Sequence, residues 1–172
     1  DRLGEGMSID RLGTVAYARG EYKTARSLYR DSLTIFRQLG HKPLIAWSYH
    51  NQGYLALDTD DMRTARSSFA ESLRLRRELL DRAGIVRSLA AFASLAAAAG
   101  QYERAVRLAA AQSAHGEHIA LTLSTMERDV LEYHLASARR SLSPDEWAAA
   151  WEAGQAMTLE QACADALALG IA

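Results

Sequence analysis

The residues of this chain able to do chemistry are few and scattered. His115-Gly116-Glu117-His118 sets two imidazoles and a carboxylate within four positions, the smallest grouping from which a metal site could start. Gly116 is expected to break the helix such a site would use, and no third histidine lies near, so the stretch reads as an exposed loop between helices. Cys163 is the single cysteine, which excludes an internal disulfide; on an alanine-rich segment it reads as a buried small side chain rather than a nucleophile. His134 reads as a surface or boundary residue. None of the eleven glycines forms a phosphate cradle between a strand and a helix. The expectation is therefore no catalytic residue, no metal, no cofactor and no enzyme.

Charge gives two further exclusions. Arg37, Arg74, Arg76 and Arg77 suggest a basic stripe, but Glu71, Glu78 and Asp81 interleave it and no aromatic platform accompanies it, so a solvated helix face is expected and nucleic acid is not. The net charge of -1 and pI near 6.6 offer no general attraction to anionic surfaces. No apolar run approaches the roughly 20 residues of a spanning helix, and the start lacks a signal-peptide pattern. A cytoplasmic chain without membrane contact is expected. Because it begins at Asp1, it is also expected to be a piece of something longer.

The elements that must position any site come from a repeat. YKTARSLYRDSL at residues 22–33 returns as MRTARSSFAESL at 62–73 and more faintly as YERAVRLAAAQS from residue 102. At a shift of forty, Ser8, Ser48 and Ser88 coincide, as do Gly13, Gly53 and Ala93, and then Ala25, Ala65 and Ala105. Tyr29 meets Phe69 in an aromatic column. Thirty-three alanines against two prolines favour helix throughout. The spacing predicts first helices over about 5–19, 43–58 and 84–99, turns at Gly20, Asp60-Asp61 and Gly100, and a second helix after each turn. Small residues fall where antiparallel helices approach, Gly13 toward Ala25 and Gly53 toward Ala65, with Tyr29 and Phe69 filling the space between successive pairs. Such hairpins cannot cover their apolar faces alone and stack.

The order Gly13…Ala25…Tyr29 and Gly53…Ala65…Phe69 resembles the tetratricopeptide repeat. That resemblance implies an all-α, right-handed superhelix of three hairpins (1–40, 41–80 and 81–115, together residues 1–115) and a non-enzymatic interaction module. The usual unit is about 34 residues. The six extra residues of this 40-residue period are assigned to a longer second helix and its following turn.

After residue 115 the period stops, and residues 116–172 are expected to form capping helices. IALTLSTMERDVLEYHLASARRSL predicts one long amphipathic helix over 119–142. Ser143-Pro144-Asp145-Glu146 predicts a helix start, Trp147 and Trp151 look like anchors one turn apart, and Thr158 with Gln161 predicts a capping box opening a last helix. AWSYHNQGYLALDTDDMRTARSSFAESL followed by SPDEWAAAWEAGQAMTLEQACADAL resembles the C-terminal region of large bacterial STAND/LuxR-type signal-transduction regulators. That implies a regulatory role in a larger transcriptional or signalling protein.

In the tetratricopeptide resemblance, first helices line a concave groove that takes a peptide or protein segment. The implied stripe is Met7, Asp10, Thr14 and Tyr17, then Trp47, His50, Tyr54 and Leu57 with Asn51 adjacent, then Arg87 with Ala90, Ser94 and Ala97. Partner binding is accordingly expected at Asp10, Thr14, Tyr17, Trp47, His50, Asn51, Tyr54 and Arg87. Some members of the family clamp a carboxylate with Lys, Asn and Arg. Here Asp10 stands where a Lys is wanted and Ala91 where an Arg is wanted, so no such clamp is expected. Packing against the next hairpin is the competing account of Trp47 and Tyr54. The competing functions are docking on an upstream module of the same polypeptide, a small-effector sensor with a closed pocket, and self-association to a homodimer through the uncapped first hairpin.

Overall fold

A left-handed residue recurs every twenty positions. Gly20, Gly40, Asp60, Leu80, Gly100 and Ala120 have φ of 73°, 62°, 57°, 55°, 74° and 52°. Around five of them the following amide reaches back across the helix end: Glu21 N–H to the Ala16 carbonyl (2.9 Å), His41 to Phe36 (3.0 Å), Asp61 to Ala56 (2.9 Å), Gln101 to Ala96 (2.8 Å) and Leu121 to Gly116 (2.9 Å). This closure satisfies the last carbonyls of a helix and turns the chain within three residues. The sequence period of forty is thus two structural periods of twenty.

The structure, a computed structural model, describes residues 1–171. The described residues form nine helices and no strand: α1 (Arg2–Ala18), α2 (Tyr22–Gln38), α3 (Lys42–Asp58), α4 (Met62–Glu78), α5 (Arg82–Ala98), α6 (Tyr102–His118), α7 (Thr125–Ser141), α8 (Pro144–Gln155) and α9 (Leu159–Leu167). The all-α expectation and its helical hairpins are found. One detail is corrected: α1 to α6 are each 17 residues long, so the length beyond the usual repeat is shared by both helices of a pair. Identical three-residue turns leave the helices as the only place to put it.

The chain divides into two units, Asp1–Leu80 and a second beginning at Asp81. In the first, α1 pairs with α2 and α3 with α4, and α3 lies against α2. A Cβ on Gly13 would stand 2.8 Å from the Tyr29 ring, and one on Gly53 would sit inside the Phe69 ring's van der Waals surface. The aromatic rings therefore seal their own hairpins against the glycines, where the sequence placed them between hairpins. Tyr29 does both, since it also clusters with Leu55 of α3.

In the second unit α5 is buried from Gly84 to Ala97 except at Arg87, packed by α6, α7 and α9, while α8 lies along α6. The long helix expected over 119–142 begins only at Thr125, because Ala120 turns left-handed and Ser124 with Glu127 forms a capping box. The starts at Ser143 and Thr158 are found with their capping boxes. Trp147 and Trp151 are not the deep anchors. They stack on each other half-buried (6.5 Å, 10° apart), and Arg139 lies 4.4 Å over the Trp147 ring. Ala150 and Gly154 make the close contact instead, Gly154 so near the Arg107 carbonyl that no side chain fits.

Candidate functional site

Two first helices of the first unit enclose a concavity of about 590 Å³. α1 contributes Met7, Asp10, Arg11, Thr14 and Val15, α3 contributes Leu44 and Trp47, and Phe36 of α2 forms the floor. Helical spacing puts Met7, Asp10 and Thr14 on one stripe. Asp10 is buried, accepting from Ser32 Oγ (3.4 Å) with the Trp47 side chain beside it. Burial raises its carboxyl above the ordinary range, and the Trp47 and Ser32 contacts offset part of that rise. Trp47 is 41% exposed, so its ring stands in the opening. Thr14 Oγ donates to the Asp10 carbonyl (3.2 Å) and receives the Tyr29 hydroxyl (3.4 Å), whose phenol is pushed up to about 12 chiefly by burial. Arg11 is exposed and forms no ion pair among the described residues.

The other expected residues lie elsewhere. Tyr17 is half-buried, donating to Asp58 Oδ2 (2.5 Å), with its phenol raised first by burial and then by that carboxylate. His50 and Tyr54 are buried edge to face, 5.0 Å apart, both packed on Phe69. Asn51 is buried as well. Arg87 reaches across to α7, where it pairs with buried Glu127 (2.5 Å) and donates to the Thr122 carbonyl (3.2 Å). The structure thus brings Asp10, Thr14 and Trp47 together around one opening and puts the remaining five into packing or intramolecular bonds. Arg11 and Val15 were missed in the sequence because they lie one position off the stripe, and Leu44 because it stands one turn before Trp47, where the stripe was begun.

Two further sequence expectations are corrected. Gly116 does not break α6, which runs through His118; His115 Nε2 lies 2.9 Å from the Met157 carbonyl, and the described residues hold no group of three His, Cys, Asp or Glu able to take a metal. Arg76 is no part of a solvated stripe. It is buried with Nη1 3.3 Å from His50 Nδ1, while Arg74 is held by Glu71 and Glu78, and Arg37 bonds the Tyr49 hydroxyl. Among the described residues no helix is long and apolar enough to cross a membrane.

Residues 7–78 match the family model of the tetratricopeptide repeat. This match falls within the first unit and spans the concavity. Tetratricopeptide repeats are in general protein–protein interaction modules, typically without enzymatic activity. No curated protein and no solved structure matches the chain.

Proposed function

We propose that the first unit binds a peptide or protein segment between α1 and α3, with an apolar side chain against Trp47 and a carboxylate on Arg11, and that it does so without catalysis. The observation that carries this is the placement of the indole: Trp47 is half exposed at the opening of the concavity, with its ring beside buried Asp10 and 5.9 Å from the buried His50 ring. An aromatic ring held in its working position gives contact area with little ordering cost on binding. Arg11, Thr14, Val15 and Trp47 are all exposed, so the concavity opens to solvent, which suits a segment better than an enclosed small effector.

The wider role we infer is that of a regulatory part in a larger cytoplasmic bacterial regulator. Its segment would come from another protein or from an upstream module of the same polypeptide. The resemblance of the C-terminal tail to such regulators supports this.

Selection from a displayed library of random peptides tests the site. The expected result is enrichment of sequences pairing an apolar side chain with an acid, bound at least about tenfold more weakly by Trp47→Ala. Absence of enrichment, or equal binding by the Trp47→Ala chain, would overturn the proposal.

A further inference from the structure

Asp10 puts a carboxyl where the concavity otherwise offers apolar contact. It lines that space above Phe36 and across from Trp47, yet it is only 6% exposed. On α1 the neighbouring charge is Arg11, next in the chain but about 100° round the helix, and exposed. From α2, Ser32 Oγ donates to Asp10 at 3.4 Å, and the Tyr29 phenol stands beyond Thr14. From α3, Trp47 lies beside it; the His50 ring is 5.9 Å from that indole, and Arg76 of α4 is 3.3 Å from His50 Nδ1. Asp10 enters no ion pair among the described residues. Its charged form therefore depends on one hydroxyl and on solvent in the open concavity.

We propose that the segment bound between α1 and α3 takes Asp10 in its protonated form, so that binding draws in a proton and weakens as pH rises. The inference rests on the segment-binding reading of this concavity and adds the regulation of that site. Two effects set its direction. An apolar side chain laid against Trp47 and Phe36 displaces solvent from beside Asp10, and a carboxylate deprived of water favours its neutral form. The carboxylate of the segment engages Arg11, the cation among the lining residues, and sets a second negative charge near the first. Both raise the Asp10 carboxyl further in the complex, in the direction that burial already takes it in the free chain. Affinity is then full below the free-chain value, falls as pH climbs from that value to the one in the complex, and is level above it. A proton on His50 acts in the opposite sense, since it sets two cations side by side behind Trp47 and weakens binding in acid.

The test is the affinity of the 172-residue chain for an acetylated, histidine-free peptide selected on it, read by anisotropy between about pH 5 and about pH 8 with helix content checked at each pH. Wild-type affinity is expected to fall about tenfold across that range, the effect of raising one carboxyl by about one pH unit on binding. Asp10→Asn, which cannot take up the proton, should change less than about twofold. In the wild-type chain the Asp10 carboxyl-carbon resonance should titrate at higher pH when saturated with peptide than when free, a readout that needs no variant. Affinity that is level or rises with pH overturns the proposal and leaves the groove standing. A fall that persists in Asp10→Asn, or an Asp10 resonance whose titration is unmoved or lowered by peptide, overturns it too. A chain that binds no peptide at any pH overturns the groove reading itself, and this inference with it.

Discussion

Gly53 lies flat against the Phe69 ring, with the Cγ of that ring 3.0 Å from where a Cβ on residue 53 would stand and its edge nearer still. The glycine–aromatic pair is what lets α3 and α4 close. Gly53→Ala should therefore destabilise the chain by about 1–2 kcal/mol, overpacking outweighing the gain in helix propensity. Gly13→Ala, against the Tyr29 ring at 2.8 Å, should cost less. Gly154→Ala should cost more than either, because the neighbour there is the Arg107 carbonyl and backbone cannot rotate away. Urea midpoints in that order check the argument.

Leu80 holds φ of 55° while 86% exposed, in the place that Gly20, Gly40 and Gly100 take elsewhere. A leucine loses about 1 kcal/mol there to Cβ crowding and gains nothing from burial. Leu80→Gly is expected to raise stability by about that amount, read as a higher urea midpoint at unchanged slope.

Arg87 and Glu127 couple α5 to α7, and Glu127 is almost wholly buried. Removing only the guanidinium with Arg87→Met strands a carboxylate out of water, a loss of about 2 kcal/mol or more. Arg87→Met with Glu127→Leu should lose less than the single change. A double-mutant cycle by thermal or urea unfolding measures the difference.

These residues show how far the sequence could be read. The turns at Gly20, Asp60 and Gly100 were legible because a shift of forty exposes them column by column, whereas those at Gly40, Leu80 and Ala120 and the contact of Gly13 and Gly53 with the aromatic rings were not, since a column of like residues does not say which neighbour each one touches. Helix starts at Ser143 and Thr158 were legible from local capping chemistry. The site was legible only in part: Trp47 and Tyr54 share one stripe by spacing, but packing buried Tyr54 and left Trp47 open, and periodicity does not encode which neighbour covers a face. The start of α7 was missed because its apolar positions continue the helical period backward through 119–124, while the Ser124–Glu127 box that stops it is short and local.

Asp10 ties stability to pH. Its carboxyl is raised by burial, so the folded chain holds that proton more tightly than the unfolded one, whose ordinary value is 3.8. Stability from this group is greatest below 3.8 and falls as pH climbs through the raised folded value. Asp10→Asn removes the charge while keeping an acceptor for Ser32. The variant should therefore gain on the wild type as pH rises from about 4 to 7, by urea midpoints at each pH, and the gap should close again in acid.

The central claim is that Trp47 is the anchor of a binding groove, and its own emission tests this most directly. Trp147 and Trp151 are the only other tryptophans, and both stand in α8. In a Trp147→Phe, Trp151→Phe chain, titration with a peptide selected on the wild-type protein should give a saturable blue shift and intensity change at the same midpoint as the anisotropy of the labelled peptide. Saturating anisotropy with unaltered Trp47 emission would mean that the peptide binds elsewhere, contradicting the account.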